Sequence, residues 1–149
     1  MRFRFNDGGR DAAGYKSKVG DCVVRAISIA TDKPYQEVYD AINELIRSKR
    51  QTKRMRRGSA RNGVPHGIDR EYLASLGWRW IPTMQIGSGC KVHLRADELP
   101  AGRLIVSVSK HLTAVIDGVI HDTDDPSRDG TRCVYGYYII KPNHERAQL

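Results

Sequence analysis

A thiol, an imidazole and a carboxylate suffice for nucleophilic attack on a carbonyl carbon, and this chain offers Cys22, His111 and either Asp122 or Asp124 for those parts. The thiolate attacks, and the imidazole takes and returns a proton. A carboxylate on the second ring nitrogen fixes the tautomer and stabilises the imidazolium. Cys22 follows Gly20-Asp21 at the head of a stretch in which Val23, Ala26, Ile27 and Ala30 recur at helical spacing. Asp21 is the expected N-cap, and Cys22 falls in the first turn, where the positive end of the helix dipole and unpaired amides favour thiolate. The charge of Asp21 works against that, so a low thiol pKa calls for a cationic partner such as a protonated His.

A hairpin supplies the partner. Asp117-Gly118 between the apolar runs 112–116 and 119–123 is a tight-turn signal. With those two residues in the turn, Ile116 pairs with Val119, Thr113 with Asp122 and His111 with Asp124. Residues two apart share a face, so Asp122 and Asp124 both lie on the face of His111, and periodicity does not choose between them. Each residue alone has a blander reading: a buried small side chain for Cys22, an exposed strand end for His111, a polar turn before Pro126 for the acids. Their joint occurrence requires independent coincidences.

Other groups carry less chemistry. Cys90-Lys91-Val92-His93 offers two of the four ligands a structural zinc site needs, and Gly87-Ser88-Gly89-Cys90 lacks the Gly-Lys-Ser/Thr of a phosphate loop. Trp78, Trp80, Tyr135, Tyr137 and Tyr138 alternate as sheet packing does. No metal and no cofactor are expected. The three cysteines are odd in number and widely spaced, so each is read as a free thiol rather than as part of a disulfide framework.

The elements that must position these residues are legible in outline. Residues 1–20 have no sustained period and read as an extended arm lying on the domain. After the Cys22 helix, Pro34 opens a second one whose face is Tyr35, Val38, Tyr39, Ile42, Leu45 and Ile46. Ile68, Tyr72, Leu73 and Leu76 mark a third, of about ten residues, stopped by Gly77. Residues 78–81 read as extended, 91–94 as a short strand and 96–100 as a turn. Strands then follow over 104–108, 112–116, 119–123 and 133–140. Helices first and antiparallel strands afterwards predict an α+β fold, with N-terminal helices packed on a C-terminal antiparallel sheet.

The 149 residues are one domain's worth, and no run approaches the roughly 20 apolar residues of a membrane span or the core of a signal peptide. A soluble, intracellular protein is expected. The net charge of +8 equals the eight Lys and Arg between Arg47 and Arg61, a stretch without an acid, so the rest of the chain is formally neutral. The exposed segment at about 47–63, with Lys49, Arg50, Lys53, Arg54, Arg56 and Arg57, is a candidate contact for nucleic acid or an acidic partner protein. Its bland counterpart is a solvated extension.

Gly20-Asp21-Cys22-Val23-Val24-Arg25-Ala26 at a helix start, followed far downstream by the hairpin from His111 to Thr123, resembles the plan of the papain-like cysteine peptidase superfamily. It is similar to small phage and prophage proteins of that type. The order Cys, His, then Asp or Asn is the superfamily's, in which the nucleophile helix and the His hairpin face each other across a cleft. Ile120-His121-Asp122-Thr123 resembles the strand that carries the third member, so the resemblance selects Asp122 over Asp124. It spans roughly residues 15–140. It implies a single papain-like domain over 1–149, a thiol hydrolase (peptidase or isopeptidase) acting on a protein or peptide, and a cytoplasmic setting in a bacterial host or a phage-encoded origin. Where the superfamily places Gln or a similar oxyanion donor ahead of the Cys, this chain has Lys16-Ser17-Lys18-Val19, leaving the Cys22 amide with Asn6 or Ser17 as candidates.

Overall fold

The apolar periods become three helices and the alternating runs become a sheet. The computed structural model describes residues 1–16, 20–49 and 58–140. Within them the order is β1 (Arg2–Phe5), α1 (Cys22–Thr31), α2 (Tyr35–Lys49), α3 (Ile68–Ser75), β2 (Trp78–Pro82), β3 (Arg103–Val108), β4 (His111–Ile116), β5 (Val119–Asp122) and β6 (Gly136–Ile140). Buried residues occupy α1 from Val24 to Ala30, whereas α2 buries only the stripe Tyr35, Val38, Ile42 and Ile46, as expected of a helix with one face in solvent. Pro34 stands just ahead of α2, where its missing amide costs no bond and its carbonyl accepts from the Val38 amide at 3.2 Å. Gly77, with φ 88°, ends the turn after α3.

The six strands form one sheet in the order β1-β5-β4-β3-β6-β2. The hairpin register is the one the Asp117-Gly118 turn dictates: Ile116 lies opposite Val119, and Ala114 opposite His121. The fold is α+β, but the sheet is mixed rather than antiparallel, because β1 joins its edge parallel to β5, with Arg2 opposite Val119 and Phe5 opposite Asp122. The expected extended arm is thus partly a strand. Arg2-Phe3-Arg4-Phe5 does alternate, but the run is four residues long and its partner is remote.

Alternation along β3 and β4 divides the core between the two faces of the sheet. Ile105, Leu112 and Ala114 pack with Ile27, Val38, Ile42 and Leu73 of the helices. Leu104, Val106 and Val115 point the other way, to a second cluster. Burying one such aliphatic side chain contributes roughly 1.5–3 kcal/mol.

 That second cluster comprises Leu94, Leu104, Val106, Val108, Val115, Ile120 and Val134.

Three sequence expectations change here. Residues 91–94 form no strand: His93 makes an isolated bridge with Cys133. The last strand starts at Gly136 rather than at 133, because Val134 and Tyr135 turn aside to bond the carbonyls of Val92 (2.8 Å) and Ser107 (2.9 Å). Cys90 and Cys133, expected as free thiols, form a disulfide with Cα atoms 5.8 Å apart, brought together by that bridge and leaving Cys22 as the free cysteine. Among the described residues no helix is long and apolar enough to cross a membrane.

Candidate active site

His111 is the first residue of β4 and Asp122 the last of β5, so the antiparallel hairpin sets both at the same end of the sheet. Thr113 lies between them on the same face by alternation. The His111 Nε2 and the Thr113 hydroxyl both meet Asp122 Oδ2, each at 2.7 Å. The other oxygen, Oδ1, accepts from the Thr123 amide at 2.7 Å. Asp122 is 4% exposed, so these directed bonds are what make its ionised form tolerable there.

Cys22 reaches the same end from α1, whose apolar residues hold it against the sheet. Its thiol lies beside the His111 side chain and the Leu112 backbone, both of which lower its pKa, and it keeps part of its surface in solvent. With Nε2 given to Asp122, Nδ1 is the imidazole nitrogen left for the thiol. Burial pushes the Cys22 thiol up, but the His111 bond and charge, the Leu112 amide and Arg25 together outweigh it and hold the thiol below its ordinary value. Burial pushes His111 down, yet Asp122 and Cys22 raise it to about 9. Burial likewise raises the Asp122 carboxyl, and the bonds from His111, Thr113 and Thr123 bring it below its ordinary value. All three directions favour thiolate, imidazolium and carboxylate.

Asp21 is not the side-chain cap that the sequence suggests. Its carbonyl accepts the first helical bond, from the Arg25 amide at 3.0 Å, but its carboxylate makes no capping bond. The carboxylate is fully buried, and it accepts instead from Arg25, from Arg10 Nη1 at 3.1 Å and from the Tyr35 hydroxyl at 2.6 Å. Two guanidinium groups therefore offset the charge that the sequence sets against the Cys22 thiolate.

Asp124, the alternative acid, lies apart from this network: its Oδ2 accepts from the Thr123 hydroxyl at 3.5 Å in an exposed position. Asn6 stands beside Asp122 at the end of β1, with its amide on the Asp122 carbonyl at 2.8 Å and its side-chain oxygen on the Gly8 amide at 2.9 Å. Ser17 lies outside the described residues. Of the basic segment, Lys49 pairs with Glu71 at 3.2 Å, while Arg50, Lys53, Arg54, Arg56 and Arg57 lie outside the described residues. A groove of about 600 Å³ runs beside His111 and Asp122, bordered by Arg25, Lys110, Arg128 and Arg132. Among the described residues no group of His, Cys, Asp and Glu is arranged to hold a metal ion.

Arg25 is the site residue that sequence reasoning missed. The available signal was a single charge inside the otherwise uncharged, mostly apolar run from Val23 to Ala30. No protein-family model, no curated protein and no solved structure matches this chain.

Proposed function

We propose that the protein is a papain-like thiol hydrolase, a peptidase or isopeptidase, with Cys22 as nucleophile, His111 as general base and acid, and Asp122 as the acid that orients His111. The observation that carries this reading is the imidazole held at 2.7 Å by a buried carboxylate on one nitrogen, beside a helix-start thiol whose pKa it lowers. His111 holds the thiol proton as imidazolium. The thiolate attacks the amide carbonyl carbon, and the C–N bond breaks as His111 gives that proton to the leaving amine. Water then attacks the thioester with His111 taking its proton, the C–S bond breaks, the carboxylic acid leaves, and the Cys22 thiolate and His111 imidazolium are restored.

The test is alkylation of Cys22 by iodoacetamide, followed by mass spectrometry across pH, together with turnover of p-nitrophenyl acetate. Rapid labelling near pH 6 that disappears in His111→Ala is expected, as is a stoichiometric burst of nitrophenol that Cys22→Ala abolishes. Labelling with an ordinary thiol midpoint of about 8.5 and no burst sinks the reading.

The charge of the basic segment supports a second reading, a non-enzymatic accessory protein that contacts nucleic acid or an acidic protein. It requires that neutralising Arg54, Arg56 and Arg57 abolish binding to a nucleic acid probe while Cys22→Ser leaves it intact. Binding that does not weaken with salt counts against it. A cytoplasmic setting belongs to the hydrolase reading, and the Cys90–Cys133 disulfide weighs against a permanently reducing one.

A further inference from the structure

Arg25 lies three residues past Cys22 on α1 and is 7% exposed. Its guanidinium spans two buried carboxylates: Nη1 bonds Asp21, and Nη2 lies 3.5 Å from Asp122 Oδ1. The two acids come from different parts of the fold, one at the start of the nucleophile helix and one at the end of β5. Thr113 and Thr123 hold Asp122 from its own hairpin, whereas Arg25 ties it to the helix that carries the thiol.

The other end of this tie is anchored. Asp21 also accepts from Arg10 and Tyr35, so its carboxylate is fixed by groups from the N-terminal segment and from α2. The N-terminal segment closes over Arg25 as well. Gly8 sits there with φ +70°, and a Cβ on it would come within 3.1 Å of the Arg25 carbonyl oxygen. A buried guanidinium is costly unless it is paired, and here its two terminal nitrogens face the two acids while its Nε has no partner.

We infer that Arg25 is a positioning residue of the triad, clamping Asp122 Oδ1 to Asp21 so that Oδ2 is presented to His111 in one orientation and at a fixed distance from the thiol. The inference rests on the hydrolase reading of the same site. A lysine keeps the charge, but its compact ammonium lacks the planar fork that spans two carboxylates.

The proton on His111 Nε2 reports this directly, because NMR on protein labelled with ¹⁵N-histidine reads its exchange with solvent. In wild type a downfield, exchange-protected resonance is expected. Arg25→Lys should speed its exchange about tenfold or more, the scale of a lost hydrogen bond to a charged group, while the Cys22 alkylation midpoint stays near the wild-type value. Arg25→Gln should speed exchange and also raise that midpoint, since the cation is gone. Arg25→Gln is the variant most at risk of misfolding, so Asp21→Asn, which leaves Arg25 one carboxylate, reads the same proton and should also lose protection.

Protection unchanged in the folded Arg25 and Asp21 variants overturns the inference, as does the absence of a protected resonance in wild type. If Cys22 labels as an ordinary thiol in wild type while protection still depends on Arg25, the hydrolase reading falls and the positioning role stands. Activated Cys22 with protection indifferent to Arg25 gives the reverse.

Discussion

At the end of the sheet where β4 begins and β5 ends, the buried Arg25 pairs with the buried carboxylates of Asp21 and Asp122. On the face away from the helices the buried residues are aliphatic, among them Leu104, Val106, Val115 and Ile120, and a disulfide ties together the loops that cover them. The first region is held by directed bonds between charges, each worth little net but costly to leave half-made. The second is held by area removed from water and by a covalent link that restricts the unfolded chain. The proposed chemistry draws on the first kind, because only directed bonds fix a proton and a carboxylate oxygen to within fractions of an ångström.

Breaking the covalent link should have the largest effect on stability and none on the site. Cys133→Ser opens a cross-link between residues 43 apart and should cost about 4 kcal/mol in denaturant unfolding, with the pH profile of Cys22 labelling unchanged. A changed profile would show that the two regions are coupled. Asp122→Ala should cost about 3 kcal/mol, because it strands Arg25 beside one acid, and it should abolish rapid Cys22 labelling as well. Leu104→Ala, at a fully apolar position, should cost a similar amount while leaving labelling intact.

pH separates the charges from one another. His111, held at about 9 against an ordinary 6.5, contributes stability that is whole below pH 6.5 and fades as pH rises towards 9. Cys22, lowered from 9.0, runs the other way and contributes more as pH rises. Wild-type stability should therefore vary little across that window, whereas Cys22→Ala should lose stability steadily from pH 6.5 upward. Parallel profiles would refute the coupling. Asp122, held below 3.8, adds stability above that value that is lost as pH falls through its folded value.

The smallest effect is expected at the surface pair Arg47–Glu44, chemically the same pairing at 2.6 Å but exposed. Glu44→Gln should cost about 0.3 kcal/mol and lose even that in high salt.

The sequence made the local features legible and hid the distant ones. Asp117-Gly118 set the hairpin register, and with it the approach of His111 to Asp122, because a two-residue turn leaves no freedom of phase. The helical stripes of α1 and α2 were equally readable from spacing. Choosing between Asp122 and Asp124 required the resemblance, since alternation puts both on one face, and in the structure Asp122 is the one bonded to His111. What failed depended on contacts between remote residues. The disulfide needs the bridge from His93 to Cys133, β1 needs β5, and the true partners of Asp21 are Arg10, Arg25 and Tyr35, none of which local pattern can pair with it.

The parallel pairing of β1 with β5 also has a consequence for how the chain comes to be folded. Arg2 is made before α1 and α2, yet its strand partner Val119 emerges only after both helices have had time to form. Such long-range contacts come at a high loop-closure entropy and are made late. Asn6 and Arg10 are carried in with that strand, one onto the Asp122 carbonyl and the other onto Asp21. A nascent chain cut short of β5 would thus display the Cys22 helix without Asp122, so the order of synthesis itself delays assembly of the proposed centre until the sheet edge closes.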